Sequence, residues 1–187
     1  MTLTMNQSSM AKVLQAAAFA AERHSDQHRK GKRAAPYINH PIAVASCLAD
    51  AGVGDPDILA AALLHDTVED TCTSLEELEQ RFGARVAGIV AEVTDNKKLL
   101  KAERKRLQVV TASTKSIEAK QVKLADKICN LRDLRDNPPR WAEARIAAYY
   151  RFAEDVYMGL AGCQTRLEAT MEHLLTQRRS VQQSSRK

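Results

Sequence analysis

Aromatic residues are scarce in this chain, at 4% of 187 residues, and glycine and proline are few, with 7 and 5. Sheets lean on aromatic and β-branched side chains, whereas alanine, which is abundant here, favours helices. A predominantly β fold is therefore not expected. Four cysteines, Cys47, Cys72, Cys129 and Cys163, are scattered without a CxxC pair, which excludes a disulfide framework of the small secreted kind. No apolar run reaches the roughly 18–20 residues of a membrane span. The opening MTLTMNQSSM has neither the basic nor the apolar region of a secretory signal. The expectation is one cytoplasmic domain with reduced thiols, large enough to bury a substantial core.

What is present in excess is positive charge: 28 Lys and Arg against 23 Asp and Glu, a net +5. The cations collect in HRKGKR (28–33), KKLLKAERKR (97–106) and the tail QRRSVQQSSRK. Nucleic acid is one partner such clusters suit and a small polyphosphate is another; solvated helix faces account for them equally well.

The punctuation along the chain is helical. Apolar spacing predicts helices over about 10–28, from Pro41 to about 51, and from Asp55-Pro56 through LLHD. A capping box of Ser74 and Glu77 opens a short helix that Gly83 stops. Further helices are expected over 84–95, 101–114 and 116–135. A last one runs over about 141–176, with a bend near Gly159 or Gly162. This makes an all-α domain of seven or eight helices over 11–177, flanked by a flexible N-terminus, 1–10, and a flexible basic tail, 178–187.

Chemistry concentrates in ILAAALLHDTVEDT, residues 58–71. An unbroken apolar run drives into His65-Asp66, and Glu69-Asp70 follows one turn later. On a continuous helix His65 and Glu69 share one face, and Asp66 and Asp70 the next. Buried acids are costly unless a cation receives them. A second acid, Asp126, sits among apolar neighbours in VKLADKICNL with Asn130 one turn on, and His40 stands before Pro41. Singly, these read as surface acids, a structural ion pair and a helix cap. Together they are two imidazoles and two aspartates from three helical contexts.

With these blocks in order, the chain resembles the HD-domain phosphohydrolases, and within them the hydrolase domain of RelA/SpoT-type alarmone enzymes. HSDQHRKGKRAAPYINHP, AALLHDTVEDT, FGARVAGIVAEVTD and KLADKICNLRDL carry the likeness over roughly residues 11–160. The short chain is most similar to stand-alone small alarmone hydrolases, so alarmone synthesis is not expected. The resemblance implies a single HD-domain helical bundle. It also implies one divalent ion, usually Mn²⁺, held by His40, His65, Asp66 and Asp126, with Glu69 and Asp70 as the catalytic acidic pair. Arg29 and Lys30 match residues that meet the guanine ring and nearby phosphates, and Asn130 and Tyr149 match nucleoside contacts. Lys97, Arg104 and Lys105 are candidates for phosphate, and Lys32 and Arg33 for steering the ligand inward.

The implied reaction is hydrolysis of the 3′-pyrophosphate of guanosine tetra- or pentaphosphate to GDP or GTP and pyrophosphate, lowering the stringent-response alarmone. Two rivals remain at this point: an HD-type phosphohydrolase of another nucleotide, and a non-catalytic basic module that binds nucleic acid.

Overall fold

The computed structural model describes residues 2–31 and 34–184, with side chains described from 8 to 181. Lys32 and Arg33, expected to steer the ligand, lie outside the described residues. Among the described residues the regular elements are all helical, apart from one isolated β-bridge between His28 and Pro36. The elements are α1 (Thr2–Arg23), α2 (Asn39–Asp50), α3 (Pro56–Leu64), α4 (Thr67–Asp70), α5 (Leu75–Phe82) and α6 (Ala84–Val93). After them come α7 (Lys101–Val110), a 3₁₀ turn (Ala112–Thr114), α8 (Ile117–Asp136), α9 (Glu143–Leu160) and α10 (Thr165–Ser184). Among the described residues no helix is long and apolar enough to cross a membrane.

Local chemistry sets several of the starts. The side chains of Asp55, Ser74 and Ser116 accept from the backbone N–H groups of Asp57, Glu77 and Ala119, satisfying donors that a first turn leaves orphaned. Pro56 occupies the first position of α3, where its missing N–H costs nothing. Gly83, at φ +93°, ends α5 and starts α6.

Two helices form the centre. α3 packs against α1, α2, α6 and α8, and every residue from Ala60 to Leu64 is buried. In α8 everything from Val122 to Cys129 is buried, Lys123, Asp126 and Lys127 included. Leu64, Leu124, Ile128 and Leu131 are fully enclosed. Each is worth about 1.5–3 kcal/mol of apolar burial, which offsets the cost of setting charges beside them.

Three expected helices end differently, each for an identifiable reason. The first stops at Arg23, short of 28, where the chain turns; Gln27 N–H bonds His24 O, and the His24 ring meets the Gln27 amide. The helix through LLHDTVED is interrupted at His65-Asp66. There His65 Nδ1 takes Ala62 O at 2.8 Å and the Thr67 hydroxyl donates to Leu64 O at 2.7 Å, so side chains compete for the carbonyls of the last turn. The last expected helix is broken rather than bent. Gly162 adopts φ +88°, and the Glu168 carboxylate accepts from the N–H groups of Gly162 and Gln164, starting α10 afresh. Gly159, the other expected bend, is instead a close-packing position: a Cβ there would lie 2.6 Å from that of Ala112.

Candidate active site

His40, in the first turn of α2, points Nε2 at Asp126 Oδ1 of α8, 3.1 Å away and 86 residues on in the chain. His65, at the end of α3, places its own Nε2 3.8 Å from the same oxygen and 3.1 Å from Asp66 Oδ2. Asp66 Oδ2 also lies 3.8 Å from His40 Nε2. Ligand-capable atoms of His40, His65 and Asp126 fall within 4.8 Å of one another, all three side chains buried. Asp66 completes the rim of this group and is the least enclosed of the four.

The donor set fits a divalent cation. His65 Nδ1 meets a carbonyl, Ala62 O, so Nδ1 carries a ring proton, and Nε2 is the nitrogen turned inward, able to offer a lone pair once its own proton leaves. That Nε2 is buried without a hydrogen-bond partner, since its approach to Asp66 lacks hydrogen-bond alignment. A buried ring nitrogen set between two carboxylates without an aligned hydrogen bond is a position that a shared cation satisfies. Two imidazoles with carboxylates suit a borderline or hard divalent ion.

Charge in this cluster is tightly organised. Burial alone would depress the pKa of His65, but the carboxylates of Asp66 and Asp126 outweigh it and raise the imidazolium to about 9. His40, deeply buried, is pushed the other way. Although burial opposes ionisation, the neighbouring cations hold Asp126 and Asp66 well below the usual carboxylate range: Lys127 first for Asp126, His65 first for Asp66. The Lys127 ammonium, itself buried, stands 3.3 Å from Asp126 Oδ2.

A pH prediction follows from the proton on His65. A folded pKa of about 9 against an ordinary 6.5 stabilises the metal-stripped fold by an amount fully present below pH 6.5 and lost as pH rises towards 9. Melting temperature after chelation is therefore expected to fall between pH 6.5 and 9. An ion held at His65 Nε2 would have to displace that proton, so apparent metal affinity should climb over the same interval. Thermal melts with and without chelator, and metal titrations at several pH values, check both directions.

The two acids of α4 diverge, as adjacent helical residues about 100° apart must. Glu69 turns towards Asp95, whose N–H it accepts at 3.2 Å, and towards Arg104 at 3.4 Å. Burial, with the charges of Asp95, Asp66 and Asp70 nearby, raises its pKa. Asp70 faces a cleft instead, accepting from Tyr37 Oη at 3.3 Å and paired with Lys97. Lys97 and Arg104, read from sequence as phosphate candidates, are thus tied to the two acids. Lys105 lies over the Phe152 ring, 4.5 Å from its centroid.

The cleft has a volume of about 450 Å³ and is lined by Arg29, Lys30, Asp70, Asn130, Trp141 and Tyr149 among others. Its loop is pinned by Arg29 N–H to Ala35 O and Tyr37 N–H to Gln27 O, both 2.8 Å. Gly31 allows that loop to lie on α8's end, since a Cβ would sit 2.9 Å from Asn137 O. The Arg29 guanidinium is held by Asp133 at 2.6 Å and by Asn130 Oδ1 at 2.7 Å. Asn130 Nδ2 in turn donates to Asp126 Oδ1 at 2.5 Å, which joins the cleft to the imidazole–carboxylate group.

Sequence reading missed four residues here. Tyr37, whose hydroxyl donates to Asp66 Oδ2 at 2.7 Å, stood inside the quoted YINHP block. Asp133 lies one turn after Asn130, a spacing that could have flagged it. Lys127, which pairs with the adjacent Asp126, stood inside the quoted KLADKICNLRDL block, and Trp141 lines the cleft without having been singled out.

Comparison with known proteins agrees with this geometry. Residues 16–165 match the HD-domain family. The guanosine-3′,5′-bis(diphosphate) 3′-pyrophosphohydrolase MESH1 of Homo sapiens is 53% identical over 91% of this chain and 97% of its own length. Its namesake from Drosophila melanogaster is 45% identical over 90% and 95%. A solved structure, described as a metazoan ortholog of SpoT that hydrolyses ppGpp, superposes with a TM-score of 0.88. It is 45% identical and spans 90% of this chain and 96% of that one.

Proposed function

The chain belongs to the HD-domain family, and from that premise we propose that it hydrolyses the 3′-pyrophosphate of guanosine tetra- and pentaphosphate, releasing GDP or GTP and pyrophosphate. Relatives of that activity match it over nearly their whole length. The observation that carries the reading is the buried, unpartnered His65 Nε2 facing two aspartates beside a nucleotide-sized cleft.

His40, His65, Asp66 and Asp126 are the residues that would hold the divalent ion, Mn²⁺ in our reading. When bound, such an ion supplies Lewis acidity towards a phosphoryl oxygen and towards water. Glu69, with its raised pKa, accepts the proton of the attacking water, and Asp70 orients that water from the cleft side. Arg29 and Lys30 receive the guanine ring and neighbouring phosphates. Asp133 and Asn130 hold the Arg29 guanidinium in place, so little side-chain entropy is lost when a base stacks on it. Asn130 and Tyr149 complete the nucleoside contacts. Free cysteines, three of them buried, suit a reducing cytoplasmic setting.

A nucleotide panel assayed with Mn²⁺ tests the substrate. Guanosine tetra- and pentaphosphate are expected to yield pyrophosphate from the 3′ position. Release of orthophosphate alone, or turnover confined to deoxy or cyclic nucleotides, would transfer the protein to another HD-type activity. Binding of nucleic acid that falls steeply with salt and ignores Asp66→Ala would mark it as a non-catalytic module.

A further inference from the structure

Tyr37 stands just ahead of α2, and its hydroxyl is a donor shared by a proposed metal ligand and a proposed catalytic acid. It lies 2.7 Å from Asp66 Oδ2 and 3.3 Å from Asp70 Oδ2. The Asp66 oxygen it meets is the same one that approaches His65 Nε2 at 3.1 Å. Its ring is fixed independently of the hydroxyl, between His24 at 4.8 Å and His40 at 6.1 Å, with the Arg29 guanidinium 5.6 Å above it.

A phenol has one proton to donate, and here two carboxylates compete for it. A cation drawing on Asp66 Oδ2 makes that oxygen a poorer acceptor, and Asp70 Oδ2, on the cleft side, becomes the better one. We propose that Tyr37 is a positioning residue that links metal occupancy at Asp66 to the orientation of Asp70, through the hydroxyl the two carboxylates share. This rests on the metal and acid roles assigned above.

Tyr37→Phe isolates the hydroxyl because every ring contact survives. Partners that orient metal ligands typically cost about 10–100-fold in metal affinity or activity when removed. Calorimetric titration with Mn²⁺ should show binding at least about tenfold weaker, and kcat should fall by a similar factor with KM for the nucleotide unchanged. In Tyr37→Phe/Asp70→Ala, the added loss of kcat over Asp70→Ala alone should be small, since the two groups act as one unit. Wild-type Mn²⁺ affinity and kcat in Tyr37→Phe, as a packing role predicts, would overturn the proposal. So would a double variant whose kcat loss equals the product of the single losses. Failure of the underlying reading looks different: His65→Ala would then bind Mn²⁺ as tightly as the wild type.

Discussion

His65→Ala loses its divalent ion and its turnover together. Affinity should drop by more than about 100-fold, since even partners outside the ligand set cost about 10–100-fold. The inward nitrogen of this imidazole makes no aligned hydrogen bond and is set between the Asp66 and Asp126 carboxylates, and alanine offers no donor atom in its place. Asp126→Ala is expected to show the same paired loss with a further cost in stability. It strands the buried Lys127 ammonium, and breaking a buried ion pair from one side typically costs about 3–5 kcal/mol. The folded state of either variant also forgoes the stabilisation a bound ion supplies. Elemental analysis of purified variants, alongside thermal melts and pyrophosphate release, measures all three. Normal metal content in His65→Ala would refute the ligand assignment.

Glu69 is expected to separate metal binding from turnover. It stands apart from the imidazole group and is held by Asp95 N–H and Arg104. Glu69→Gln keeps an oxygen for that N–H, so the α4 turn and the metal content should be retained. What disappears is a carboxylate able to take a proton, a contribution typically worth about 10²–10⁴ in rate. Glu69→Ala should lose turnover as fully, with some loss of stability because Arg104 Nη1 loses this partner. The arrangement also orders the two acids: Glu69 has the raised pKa and Asp70 the cleft exposure. Single-turnover kinetics on metal-loaded Glu69→Gln checks the assignment, and a near-normal kcat would remove Glu69 from the mechanism.

Much of this was legible before any coordinates. Asp55, Ser74 and Ser116 cap helices because capping needs only a side-chain oxygen within three residues of an N–H, a purely local condition. The apolar run before His65 announced a helix buried on several sides, and α3 is one. Taken together in their helical contexts, His40, His65, Asp66 and Asp126 stood out as candidates, and ligand-capable atoms of His40, His65 and Asp126 do meet.

Other features belong to tertiary structure. The break at His65-Asp66 arises from side chains competing for α3's last carbonyls, and His65 then turns to Asp126 while Glu69 turns to Asp95 N–H and Arg104. Lys97 and Arg104 stood in the sequence as phosphate candidates within a charged run, and packing set them against Asp70 and Glu69. Arg29 gained Asp133 from 104 residues away. By itself the sequence determined the helices and the chemical kinds of group on offer, because capping and apolar period act within a turn or two. Which groups converge, and which acid faces the cleft, only the packed fold decided, because those contacts require loops of many tens of residues to close and a buried core to hold the closure.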